Sequence, residues 1–200
     1  MISYPKEPIQ IEIQELDEEK IKFSLANVDA SMANALRRIM IAETPIMAIE
    51  FVNVLNNTSA LHDEFLSQRL GLVPLECHQP HNYEFFMDCK FCQGGQGCER
   101  CSVKMRLKVS NWDRDVLEVT SKDIISESDE VRPAKFFSVV DKDIEGRPLE
   151  TGISLAKLKK GQEIDVELIA RKGIGKDHAK YVPVSTAKFR YEPIVELNKQ

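Results

Sequence analysis

The sequence predicts an α+β fold with a mainly-β middle, and three observations carry that expectation. Two alternating segments open the chain, a helical segment follows at once, and most of the later segments alternate again. Set among those strands is CKFCQGGQGCERC, Cys89 to Cys101, two C-x-x-C pairs separated by a glycine-rich five. Two hundred residues suit one ordinary domain or two small ones that share the chain.

In the first alternation Ile9, Ile11 and Ile13 are interleaved with Gln10, Glu12 and Gln14. After the polar turn Leu16-Asp17-Glu18-Glu19, Ile21, Phe23 and Leu25 alternate with Lys22, Ser24 and Ala26. One apolar face on each strand reads as a half-buried antiparallel hairpin that needs a cover. The next segment is expected to supply it. Asp29 is a good N-cap, ASMANALRRIMIAE runs without glycine or proline, and Thr44-Pro45 stops the helix. Met32, Leu36, Ile39 and Met40 share one side, flanked by Ala35 and Glu43. Ala33, Arg37 and Ile41 form a second stripe mixed with charge. An ordinary core helix needs only one stripe, so the second hints at a surface meant for another protein.

EFVNVL, from Glu50, reads as a strand, NNTS as a turn and LHDEFLSQRL as a short helix. Its Asp63 and Glu64 suit the positive end of the helix dipole, Arg69 suits the negative end, and Gly71 ends it. LVPL is a short extended piece, and residues 76–88 read as irregular. In VKMRLKVS, Val103, Met105, Leu107 and Val109 alternate with Lys104, Arg106, Lys108 and Ser110, the clearest strand of the chain. VLEVTS adds a strand and Lys122 to Pro148 reads as loop-rich. GQEIDVELIA alternates through Ile164, Val166, Leu168 and Ala170, and AKFRYEP resumes a strand pattern near the end.

The net charge is −5, and Lys and Arg are dispersed. That disfavours a chain that grips nucleic acid by itself, which usually presents a basic face. No apolar run approaches the roughly 20 residues of a membrane helix, and MISYPKEPIQ has neither the basic head nor the apolar core of a secretory signal. A reducing compartment is therefore expected, where clustered cysteines bind metal rather than pair as disulfides.

Cys89, Cys92, Cys98 and Cys101 can enclose one Zn²⁺ tetrahedrally, and four thiolates leave no position for a reactive water. The expected cofactor is one structural zinc, with redox or iron use as the alternatives. Three other strings carry less. Cys77-His78-Gln79-Pro80-His81 lies in a proline-broken loop without a partnering carboxylate motif, so its histidines read as surface groups. GIGKDHAK lacks phosphate-loop spacing and has Asp177 where a magnesium-binding hydroxyl would stand. His62, Asp63 and Glu64 are adjacent on a helix and point apart, so they form no acid–base dyad.

The string NVDASMANALRRIMIAETPIMAIEFV resembles the N-terminal signature of the alpha-like subunits of RNA polymerases. LHDEFLSQRLGLVPL, the cysteines running into CSVKMRL, VTSKDI and LKKGQEIDVELIARKGIGKDHAKYVPVSTAKFRYEP agree in order, so the resemblance runs from about Pro8 to Pro193. The cysteine loop and LHDEF favour the polymerase II branch, where such a chain is the third-largest subunit. NNTS is closer to the branch shared by polymerases I and III.

The resemblance implies a discontinuous alpha-subunit-type dimerisation domain, residues 1–47 and 173–200, with an inserted mainly-β domain, 48–172, carrying the zinc loop. It implies a nuclear scaffold subunit in transcription, with no active site and no sequence-specific nucleic-acid binding of its own. Its partners would be a smaller alpha-like subunit, the second-largest catalytic subunit and small zinc-binding subunits. Met32, Ala33, Leu36, Arg37, Arg38 and Met40 would line the partner interface, with Arg37 and Arg38 reaching a large subunit. Family members continue into a long C-terminal helix, whereas the sequence given stops at YEPIVELNKQ, as expected of a fragment, a shortened form or a reduced partner interface. A different class, a stand-alone zinc-dependent nucleic-acid binder, would show basic and aromatic residues around the loop, where Lys90, Phe91, Glu99 and Arg100 stand.

Overall fold

The computed structural model describes residues 8–17, 19–92, 97–142, 145–193, 195 and 197. The chain divides into two compact units, one running to Thr44 and resumed from Pro183, the other spanning Pro45–Val182.

In the first unit, β1 (Gln10–Leu16) and β2 (Ile21–Ala26) pair antiparallel with a register slip between Ile13 and Glu15. The turn between them is tied by Asp17, whose carboxylate accepts the amides of Glu19 and Lys20. Helix α1 (Ala30–Ala42) begins where the sequence places it: the Asp29 carboxylate accepts the Met32 amide at 2.9 Å and the Ser31 hydroxyl at 2.6 Å. It ends as the Ile39 carbonyl takes the amides of both Glu43 and Thr44. Asn27, just upstream, holds a left-handed φ of 62° and donates its side-chain amide to the Pro8 carbonyl.

The expectation that this helix covers the hairpin does not hold. Ile11, Ile13, Leu16 and Ile21 stay exposed, and no residue of α1 is buried. Two strands and a short helix have too little apolar surface to close a core by themselves.

The second unit is built on a four-stranded antiparallel sheet ordered β3–β12–β5–β7: β3 (Ile46–Asn57), β5 (Ser102–Asn111), β7 (Ile124–Ser126) and β12 (Gln162–Gly173). The alternation in the two central strands works as read. Val103, Met105 and Leu107 lie on one face with Ile164, Val166, Leu168 and Ala170, all buried. Helix α2 (Asp63–Gly71) brings Leu66 and Leu70 to that core. So do the paired strands β6 (Val116–Thr120) and β11 (Ser154–Lys159), through Val119, Leu155 and Leu158.

Three differences from the sequence reading stand out. The segment read as loop holds, among its described residues, β7, the short β8 (Val131–Pro133), which pairs with β4 (Leu75–Cys77), and β9 (Phe136–Lys142), whose hairpin partner β10 (Pro148–Thr151) starts at its end. β7, β8 and β10 have three or four residues, too few alternations to be seen, and FFSVVDK in β9 runs apolar in pairs instead of alternating. Strand β11 was not singled out by its pattern either. Conversely, AKFRYEP forms no ladder; its Phe189 and Tyr191 rings meet edge-on at 6.2 Å in an extended segment.

Residues 174–182 group with the larger unit, and side chains explain why. The Tyr181 ring lies directly on Gly173, so close that a Cβ there would sit 2.5 Å from its Cζ. Tyr181 donates its hydroxyl to Glu50 at 2.6 Å. Lys180 pairs with the same carboxylate at 2.6 Å and donates to the Ile49 carbonyl at 3.1 Å.

Candidate metal centre and exposed helix

The cysteine loop enters from a single turn over Phe86–Asp88 and leaves directly into β5. Cys101 and Cys89 are buried, Cys92 and Cys98 half-buried. Their four sulfurs lie within 4.8 Å of one another, with Cys89–Cys98, Cys92–Cys101 and Cys98–Cys101 separations of 3.6, 3.7 and 3.8 Å. Four sulfurs at about 2.3 Å from a shared metal define a tetrahedron with edges of about 3.8 Å. The observed spacing fits that figure. An all-sulfur donor set also suits a soft, thiophilic ion.

Local backbone geometry prepares the site. The amides of Phe91 and Cys92 point at Cys89 and hold its thiol below its ordinary 9.0. Cys98 donates its amide to Cys101 Sγ at 3.4 Å, while burial pushes the Cys101 thiol up to about 12. Metal binding by thiols requires their deprotonation, so a cation among these sulfurs would be bound with release of protons. Gly97, before the second pair, has φ 109°, and a Cβ there would collide with the Ser102 hydroxyl. Ser102 returns both its amide and its hydroxyl to the Cys98 carbonyl, at 2.9 and 3.1 Å. The glycine pair of the loop falls within residues 93–96, outside the described residues.

The loop is seated on the end of β12 by two consecutive cations. Lys172 donates to the Tyr83 carbonyl at 2.8 Å and faces the Phe85 ring at 4.7 Å. Arg171 lies on the sheet face opposite Ala170 and Leu168, only 6% exposed, with its guanidinium carbon 3.6 Å from the Phe86 ring centre and 4.3 Å from that of Phe51. No sequence signal marked Arg171, because a period-two pattern assigns its face to solvent. On the loop's outer surface Arg100 stacks on the exposed Phe91 ring at 3.7 Å. His81 stays on the surface with Tyr83, Lys90 and Lys172 around a cleft; among the described residues the potential metal-holding group consists of the four cysteines alone.

The six residues expected to meet a partner all lie on α1. Met32 is 48% and Leu36 37% exposed, as is Ile39 at 46%, an unusual state for apolar side chains of a capped helix. Arg38 is exposed; Ala33, Met40 and Arg37 are half-buried, and Arg37 donates to Asn34 Oδ1 through Nε and Nη2 at 3.2 and 2.9 Å.

A sheet-built domain with a tetrathiol loop clamped to its strand ends is a structural domain whose four cysteines could hold a metal ion. The chain belongs to the RNA polymerase Rpb3/RpoA insert domain family, whose model matches residues 49–187. It is 44% identical over 190 residues to the subunit 3 of DNA-directed RNA polymerases II, IV and V of Arabidopsis thaliana, covering 95% of this chain and 59% of that protein. It is 40% identical to the RNA polymerase II subunit rpb3 of Dictyostelium discoideum (95% and 60% covered). Against the RNA polymerases I and III subunit RPAC1 of Mus musculus it is 37% identical (94% and 56%). The chain thus spans about six-tenths of the length of the curated relatives it matches.

Proposed function

We propose that this chain serves as a non-catalytic assembly subunit of RNA polymerase II in the nucleus, pairing with a smaller alpha-like subunit to form the platform for the large catalytic subunits. The observation that carries the reading is α1: a well-capped helix with Met32, Leu36 and Ile39 at the surface and no buried residue. Apolar stripes left open on an ordered helix mark a surface that another chain covers. Residues 1–47 and 173–200, which include the discontinuous first unit, are the dimerisation domain on this reading, and Met32, Ala33, Leu36 and Met40 contact the partner. Arg37 and Arg38 extend the contact towards a large subunit, and the heterodimer is the platform that also receives the small zinc-binding subunits. Identities of 44% and 40% to the Arabidopsis and Dictyostelium polymerase II relatives, against 37% to the mouse I and III subunit, favour the former.

The four cysteines hold one structural Zn²⁺, which fits their sulfur spacing and their closed, four-ligand geometry. The metal supplies rigidity to a segment with few core side chains, and no reaction is assigned to it. Co-expression with the smaller alpha-like subunit followed by size-exclusion chromatography tests the role. Stable 1:1 co-elution is the expected result; a chain that elutes alone as a folded monomer contradicts it.

A further inference from the structure

The geometry points to Arg171 as the positioning residue of the metal centre, the strut that transmits the order of the sheet to the cysteine loop. This rests on the zinc reading above. Arg171 stands on β12 directly opposite Ser102, the residue that follows ligand Cys101. Its guanidinium is stacked between Phe51 of β3 and Phe86, and Phe86 accepts the Cys89 amide at its carbonyl, at 3.4 Å. Its Nη2 also reaches within 3.8 Å of the Cβ position at Gly97, the residue before ligand Cys98. This buried residue therefore packs on Phe86 at the loop's entry, has Nη2 beside the Gly97 backbone at its midpoint and pairs in register with Ser102 at its exit, in each case within three residues of a sulfur.

The residue type matters as much as the place. A planar guanidinium can lie between two aromatic faces and still present its edge to a backbone, whereas an ammonium is a compact, strongly hydrated point charge. A metal bound by four thiolates carries a net negative charge, which a cation held beside the loop also favours. Arg171 acts on the sulfurs through Phe86, Gly97 and Ser102, and is not itself a ligand.

The test uses the full chain and its R171M and R171K forms, with a control at the exposed Lys104 on the neighbouring strand. Zinc affinity is read by competition with a chromogenic chelator, and ligand geometry by the absorption of the cobalt(II)-substituted protein. Outer-shell partners of metal ligands typically change affinity by about 10- to 100-fold. A loss of that size is expected for both Arg171 variants, with altered cobalt bands, and none for K104A. If R171M fails to fold, F86A replaces it, because Phe86 lies outside the main core cluster and removes one face of the stack; the same direction is expected. Folded variants with wild-type zinc affinity and an unchanged cobalt spectrum overturn the proposal and leave the metal reading intact. Failure of the wild-type chain itself to bind zinc overturns both.

Discussion

Glu50 shows how a single side chain is held between opposing effects. Partial burial works against its charge, but hydrogen bonds from Lys180 and Tyr181 outweigh that cost and hold its carboxyl below the ordinary 4.5. Tyr181 is pushed the other way, by burial first and then by its bond to Glu50. A depressed carboxyl contributes stability that is fully present above pH 4.5 and is lost as pH falls through its folded-state value. The E50Q variant should therefore be less stable than wild type at neutral pH, with the gap closing below pH 4.5. Because the Glu50 side chain is 37% exposed, solvent screening limits the neutral-pH loss to about 1 kcal/mol. Denaturant midpoints at pH 7 and at several acid values read this directly. A gap that stays constant with pH would show that the Lys180–Glu50–Tyr181 cluster does not contribute through charge.

At the scale of elements, legibility followed the length of the pattern. The strands through Val103–Val109 and Ile164–Ala170 were plain because several consecutive alternations met a real core, and the α1 start was plain because Asp29 makes a local bond with Met32. The clustering of the four cysteines was equally plain, since residue type and spacing are both local. Strands β7, β8 and β10 were not, because each is too short to carry a period and is defined by its ladder partners. Arg171 was invisible for a related reason: its burial comes from Phe86, distant in sequence. Helix α1 shows the converse, a clear apolar pattern without a core of its own. Charging it tests what that pattern is for. M32E with L36E should change the stability of the isolated chain by no more than about 0.5 kcal/mol, as for surface positions generally. The same pair should abolish co-elution with the smaller alpha-like subunit. Marked destabilisation of the chain alone would mean that α1 is packed internally.

For the whole molecule, the two units differ in how much of their order they supply themselves. The larger one has a continuous apolar interior from Met47 through Leu168, spread over a four-stranded sheet and α2. The smaller has a hairpin and α1 with no buried residue on the helix. Local opening is cheapest where few apolar groups are buried, so amide exchange should be strongly uneven. In the isolated chain, amides of β5 and β12 should exchange slowest, and those of β1, β2 and α1 within the fast class. Binding of the smaller alpha-like subunit should slow the second group by at least tenfold and leave the first nearly unchanged, because ligation stabilises what it orders. Protection of α1 before the partner is added would show that its apolar stripe is already satisfied, and the assembly role would lose its physical basis. Protection appearing on β5 and β12 instead would relocate the partner to the sheet.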